Sequence, residues 1–280
     1  MSVETMQAQL RKLQMSTAAK EIEEVLSKHK KSASLDWVSE LLEREIDSRK
    51  ERGIQTRIKR AAFPEVTTLE SFDWEFNPKI DRSKVEELGT LEFMKKNRIA
   101  LFLGAPGVGK SHLAIAIGVR AATAGCRVWW TSAKRLVQRI VMAKARHNLD
   151  ELFKQVLAAQ LWIIDDWGVV TMSREVAEEV FDLMDRRRFS SAMILTSNRA
   201  VEEWGEVFPD PVVANATIDR IFDRSDVLEF VGKSYRLKDR IKEIGHGALE
   251  AVIKENDEEN ESLEANKTVQ NRTNPRMKKR

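Results

Sequence analysis

GAPGVGKS, residues 104–111, decides the fold class. Its spacing, G-x-x-x-x-G-K-[ST], is that of a loop whose backbone N–H groups converge on a phosphate. The helix that follows such a loop adds its own unpaired N–H groups and the positive end of its dipole. In this setting Lys110 reaches the β- and γ-phosphates, and the Ser111 hydroxyl holds a magnesium ion. A glycine-rich turn without a ligand can share the same letters, so the flanks decide. Ahead of the loop, Arg98-Ile99-Ala100-Leu101-Phe102-Leu103 is a short apolar run that reads as a buried strand. Behind it, His112 through Ala122 has Gly118 as its only breaker and reads as a helix. Strand, loop and helix in that order are the context a phosphate loop requires. The loop does not say what the nucleotide is used for, since kinases, motors, switches and loaders all own one.

Outward from the loop, residues 86–245 alternate strand and helix. Strands are expected at 98–103, 127–132, 160–165, 191–197 and 227–231. The clearest helix runs from Ser173 to Phe189, with Ser173 as cap, acids early and Arg186, Arg187 and Arg188 late, which complements the helix dipole. Alternation of this kind predicts an α/β fold with a five-stranded parallel sheet covered on both faces. Residues 1–60 carry helical spacing and no proline, and read as two or three small helices, the third capped by Ser34. Phe63-Pro64 and Pro78 interrupt the pattern, so 61–85 reads as a linker. Residues 246–280 are highly charged with little apolar clustering and read as a disordered tail.

Composition narrows the class. The chain has 280 residues and a net charge of +3. That balance hides segregation: six basic residues and one acid in 48–60, six acids and no base in 255–264, and a basic run at 276–280. Cys126 is the only cysteine, which rules out an intramolecular disulfide and fits a reducing compartment. No apolar run reaches the ~18 residues of a membrane helix, and the first residues lack a signal-peptide core, so a cytoplasmic protein without membrane contact is expected.

Three further stretches carry chemistry. LWIIDD, 161–166, is an apolar strand ending in two carboxylates. In a phosphate-loop protein the first acid, Asp165, holds the magnesium shell, and the second, Asp166, orients or deprotonates the attacking water. MILTSNR, 193–199, is another apolar strand, ending at Asn198. Sites of open parallel sheets lie at the carboxyl ends of strands, where Asn198 would meet the γ-phosphate, although a strand-end Asn is often only a turn former. TIDRIFDR, 217–224, offers Arg220 and Arg224 as charges for a transferring phosphoryl group, or as surface partners of Asp219 and Asp223.

Taken together, GAPGVGKS, IIDDWG, LTSN, IDR and GKSYRLK resemble the AAA+ ATPases, and within them the IstB-like helpers of insertion-sequence transposition. The likeness to DnaC-type helicase loaders is more distant. TLESFDWEFNPKID, 68–81, and the helical N-terminal region ending in a basic run also look IstB-like. The resemblance implies ATP and Mg2+ as cofactors. It assigns Gly104, Ala105, Pro106, Gly107, Val108, Gly109, Lys110, Ser111 and His112 to the nucleotide, and Ser111 and Asp165 to the metal. It gives Asp166 the water-activating place, Asn198 the sensor place and Arg236 a second sensor place. Arg220 takes the arginine-finger place, reaching a neighbouring subunit. Many AAA+ proteins have Glu where this chain has Asp166, and the shorter side chain suits a slow switch better than a fast motor. The quick passage from the last strand to the charged tail leaves little room for a helical lid.

The family reading also implies a homo-oligomer, double-stranded DNA bound with little sequence specificity, and an IstA-like transposase as partner. Candidate DNA contacts are Arg49, Lys50, Arg52, Arg57, Lys59 and Arg60, followed by Lys134, Arg135, Arg139, Lys144 and Arg146. Trp129 and Trp130 read as core and edge residues, and Trp37 and Trp162 as core. Rival functions are a DnaC-like helicase loader, a small-molecule kinase, and a DNA-binding scaffold with a dead nucleotide site. The strand-end Asn198 and the IDR element argue against the kinase, and the intact Lys110, Ser111 and Asp165 against the scaffold.

Overall fold

The computed structural model describes residues 3–28 and 36–238. Ser34, the Trp37 side chain and the tail 246–280 lie outside the described residues. The elements run α1 (Val3–Lys12), α2 (Ser16–Lys28), α3 (Asp36–Ala61), α4 (Arg82–Gly89), α5 (Glu92–Lys95), β1 (Ile99–Gly104), α6 (Lys110–Thr123) and β2 (Val128–Ser132). They continue with α7 (Ala133–Ala145), α8 (Leu149–Leu157), β3 (Leu161–Asp165), α9 (Arg174–Arg187), β4 (Ala192–Ser197), α10 (Pro211–Phe222) and β5 (Ser225–Phe230).

The five strands form one parallel sheet in the order β2-β3-β4-β1-β5. Such a sheet is buried on both faces, which is why its strands read as unbroken apolar runs. Side chains alternate between the faces. Ala100, Phe102, Ile163 and Ile194 pack on one side with α4 and α6. Leu101, Trp162, Ile164, Met193 and Leu195 pack on the other with α7, α8, α9 and α10. Gly118 falls inside α6 because a Cβ there would sit 2.5 Å from Ile163 Cδ1 and 2.9 Å from Phe63. Ser173 occupies the N-cap of α9, but its side chain makes no capping hydrogen bond.

Among the described residues the N-terminal helices bury a small cluster, Ala18, Ile22, Val25 and Leu41. A buried carboxylate supplements it. Glu45 of α3 accepts from Thr17 N at 2.8 Å and Ala18 N at 3.1 Å, so it caps α2 from another helix. Its other oxygen accepts from Arg49 Nε at 2.7 Å. Burial alone would raise the Glu45 carboxyl, but the bonds from Arg49, Ala18 and Thr17 outweigh it and hold the group below the usual glutamate range. The far end of α3 belongs to the other part of the molecule. Ala61 is buried in the main core, Ile58 packs against it, and Arg57 Nε donates to Ala122 O at 2.8 Å, satisfying a terminal carbonyl of α6.

The stretch read as a linker packs against the same core. Residues 62–81 hold no helix or strand, yet Leu69 and Ile80 are buried in that core and Phe63, Phe72 and Trp74 pack against it. Asp81 then caps α4 by accepting from Lys84 N at 3.1 Å.

Candidate functional site

β1 carries the chain to the carboxyl edge of the sheet, and α6 leaves from Lys110. Between them Gly109 has φ 111, and a Cβ there would lie 2.5 Å from Phe72 Cε2. Only glycine fits both the conformation and the space. The Lys110 side chain folds back into the loop, where its Nζ donates to Gly104 O at 2.6 Å and Ala105 O at 2.7 Å. Burial pushes its ammonium below the usual lysine range. The charges of Asp166 and Asp165 oppose that shift, and Arg236 adds to it.

The loop is stapled from two directions. Asn77, 3 % exposed, donates through Nδ2 to Val108 O at 3.3 Å and to Lys233 O at 3.0 Å, and its Oδ1 accepts from Lys233 N at 2.8 Å. Tyr235 N donates to Gly107 O at 2.8 Å. The segment after β5 and the segment before α4 therefore both fix the loop.

At the strand ends, Asp165 Oδ1 accepts from Ser111 Oγ and from Thr196 Oγ1, each at 2.6 Å. Asp166 adopts a left-handed backbone, φ 57, with its N–H donating to Thr196 Oγ1 at 3.1 Å. That conformation favours Asp over Glu, because a short polar side chain tolerates it best. Burial, then the neighbouring Asp165 charge, raises the Asp166 carboxyl above the usual range against the pull of Lys110 and Arg236.

Beside these groups lies a cavity of about 520 Å3; Asp165, bonded to the lining Ser111, is not itself among its lining residues, and neither are Gly104 and Ala105. Pro106, Gly107, Val108, Gly109, Lys110, Ser111, His112, Asp166, Asn198 and Arg236 all face it. Sequence reasoning missed its other wall. Phe72, Phe76 and Tyr235 bring aromatic surface, with Phe76 and Tyr235 packed edge to face at 5.0 Å. Lys238 lies over the Tyr235 ring at 4.7 Å and bonds to Asp73 at 2.7 Å. The only sequence signal for this wall was the cluster of aromatics in SFDWEFN, 71–77, which has no helix or strand period.

Arg220 does not line the cavity. It sits in the last turn of α10, just before β5 opens at Ser225, and the Arg224 carbonyl accepts from Ile99 N at the start of β1. That is the amino edge of the sheet. The six residues of β1 separate it from the phosphate loop, about 20 Å at about 3.3 Å per residue. Arg220 donates to Asp185 at 2.7 Å and to Asp219 at 3.0 Å, while Arg224 is exposed.

The basic residues fall on two surfaces. Arg49, Arg52, Arg57 and Arg60 line a shallow groove along α3, and Lys50 and Lys59 are exposed beside it. Within that group Arg49 is engaged by Glu45 and by Gln14 O at 2.9 Å, and Arg57 by the end of α6. On α7, Arg135 lies over Trp130 at 6.0 Å and Arg139 over Trp129 at 5.6 Å, with Lys134 exposed nearby. Burial, then the charge of Arg135, lowers the Arg139 guanidinium. Lys144 is paired with Glu179 at 2.6 Å. Trp162 is fully buried, as expected of a core residue.

Among the described residues no cluster of three or more His, Cys, Asp or Glu could hold a metal, and no helix is long and apolar enough to cross a membrane. The chain matches the family model of IstB-like ATP binding proteins over residues 5–243. It is 43% identical over 201 residues to a protein of insertion sequence IS21 from Pseudomonas aeruginosa that is named for ATP binding, covering 72% of this chain and 76% of that one. A similarly named protein of insertion sequence IS5376 from Geobacillus stearothermophilus is 36% identical over 217 residues, covering 78% of this chain and 86% of that one. Among solved structures, AMPPCP-bound DnaA from Aquifex aeolicus gives a TM-score of 0.51 at 21% identity over 66% of this chain and 57% of that chain. DnaI gives 0.51 at 19% identity over 59% of this chain and 91% of that chain, so both show the fold alone. On its match over nearly the whole described length and its identity to these relatives, this chain belongs to the IstB-like ATP binding protein family.

Proposed function

We propose that this chain is an ATP-dependent, DNA-binding helper of insertion-sequence transposition that hydrolyses ATP at the interface between its own copies. One observation carries the reading: Lys110, Ser111, Asp166, Asn198 and Arg236 converge on one cavity, with Asp165 bonded to Ser111, while Arg220 stands at the opposite edge of the sheet.

The residues fit ATP and Mg2+. Lys110 is buried against two neutral carbonyls, so a phosphate oxygen would give its charge a better partner. Ser111 and Asp165 offer hard oxygens 2.6 Å apart, the donor type Mg2+ takes when substrate phosphates complete its shell. Bound Mg2+ would neutralise charge developing on the phosphates. Thr196 fixes the Asp165 carboxylate so that it faces Ser111. Asp166, beside it, orients the attacking water and takes its proton. Asn198 senses the terminal phosphate, and Arg236 adds positive charge from the segment after β5. The aromatic wall of Phe72, Phe76 and Tyr235 suits a nucleobase. Arg220 lies too far from its own loop to act there, so it serves the loop of a neighbouring copy.

The exposed cations of α3 and α7 supply a DNA surface without a base-reading element. Anisotropy of a random-sequence duplex tests this. Affinity should depend on ATP and fall by roughly 0.9 log units per neutralised phosphate for each tenfold rise in salt. Salt-insensitive binding, or strong preference for one short sequence, contradicts it. Pull-downs with the transposase of the neighbouring reading frame and with a replicative helicase separate a transposition helper from a helicase loader.

A further inference from the structure

The amino edge of the sheet carries a small ionic cluster built by the last turns of α9 and α10. Asp185 of α9 accepts from Arg220 Nε at 2.7 Å. Arg188 approaches the same carboxylate at 3.7 Å and reaches Asp223 at 3.0 Å. Asp219, next to Arg220 in the chain and largely exposed, takes one Nη1 bond at 3.0 Å. The Asp185 bond differs from it in kind, because it spans 35 residues and links two helices.

The way Arg220 is held matters chemically. A guanidinium is a planar fork with five N–H donors. Asp185 engages the Nε edge, at the stem of the fork. Nη2 has no hydrogen-bond partner among the described residues, and Nη1 gives one bond to an exposed carboxylate. The terminal prongs are therefore the part left to face another molecule. A free arginine samples many rotamers, and a carboxylate on its Nε edge removes much of that freedom beforehand. As a stability device the pair contributes little, since exposed and half-exposed ion pairs are screened by solvent.

We propose that Asp185 is a positioning residue for Arg220, holding the guanidinium by its Nε edge so that its Nη groups meet the terminal phosphate bound by a neighbouring copy. Arg188 offsets part of the Asp185 charge and keeps the carboxylate from opposing that phosphate. This inference rests on the shared-site reading above.

The experiment measures ATP affinity and DNA-stimulated phosphate release for the full chain carrying Asp185→Asn, Asp185→Glu, Arg220→Ala, or Asp185→Asn with Arg220→Ala. Asp185→Asn should keep wild-type ATP affinity and lose turnover by about ten- to a hundredfold, the cost of a group displaced by about 1 Å. Asp185→Glu should recover part of that loss, and the double variant should be no slower than Arg220→Ala alone. Mixing Asp185→Asn with Lys110→Ala should restore activity, since some interfaces then pair an intact loop with a correctly held arginine. Wild-type turnover in Asp185→Asn, with Arg220→Ala inactive, overturns this inference and leaves the shared site standing. Wild-type turnover in Arg220→Ala overturns the shared site itself. A double variant slower than Arg220→Ala, or mixed oligomers with no recovered activity, shows that Asp185 does not act through Arg220.

Discussion

The two edges of the sheet hold their cations in opposite ways. At the carboxyl edge Lys110 is 6 % exposed and rests on two neutral carbonyls. At the amino edge Arg220 is 30 % exposed and rests on two carboxylates. A buried ammonium with only neutral acceptors is undercompensated, and an anion entering its cavity is stabilised at once. A half-exposed guanidinium already paired with carboxylates gains less from a lone anion and more from geometry.

That contrast breaks most sharply at Lys110. Lys110→Ala should weaken ATP binding by about two orders of magnitude or more, since it removes one or two charge-assisted bonds worth about 1.5–3 kcal/mol each. Titration with a fluorescent ATP analogue measures this, and affinity within a few-fold of wild type would mean the loop binds without its lysine. Asp166→Asn sharpens the comparison within the same edge. It should leave affinity intact and cut hydrolysis by about 10²-fold or more, the usual contribution of a positioned base. Equal turnover in the two proteins would remove Asp166 from its role.

The smallest effect lies away from both edges. The Glu45 carboxyl sits below its usual range, so its contribution to stability is present above the ordinary glutamate pKa and is lost as pH falls through the lowered one. Glu45→Gln should cost about 1 kcal/mol at neutral pH and flatten the loss of melting temperature on acidification. Thermal scans across pH 3–7 check this. An unchanged acid dependence would mean the α2 cap is maintained without the charge.

Much of this could be read in the sequence, for one physical reason. A parallel sheet buries both faces, so β1, β3 and β4 appear as LFLG, LWIID and AMILTS, and whatever polar residue ends such a run stands at the carboxyl edge. Asp165, Asp166 and Asn198 stand there for that reason, at or just past the ends of β3 and β4. The contacts that hold the site cannot be read in this way, because their partners are distant and aperiodic. Asn77 reaches Lys233 across 156 residues, Thr196 reaches Asp165 across 31, and Phe72 lies in a segment without helix or strand. In the sequence Glu45 is one more acid among many charged residues, and the fold shows it capping α2. Arg57 looked like one more cation in a basic run, yet it satisfies the end of the very helix that starts at the phosphate loop.

Whether the two edges meet between copies is read most directly by one mixing experiment. Lys110→Ala and Arg220→Ala are each expected to be inactive in DNA-stimulated hydrolysis. In a mixed oligomer some interfaces join an intact phosphate loop from one subunit to an intact arginine from the next. Hydrolysis should partly return on mixing and peak near equal amounts of the two variants. If mixed oligomers form and no activity returns, or if Arg220→Ala alone hydrolyses ATP at the wild-type rate on DNA, the site is complete within one chain and the two edges do not meet between copies.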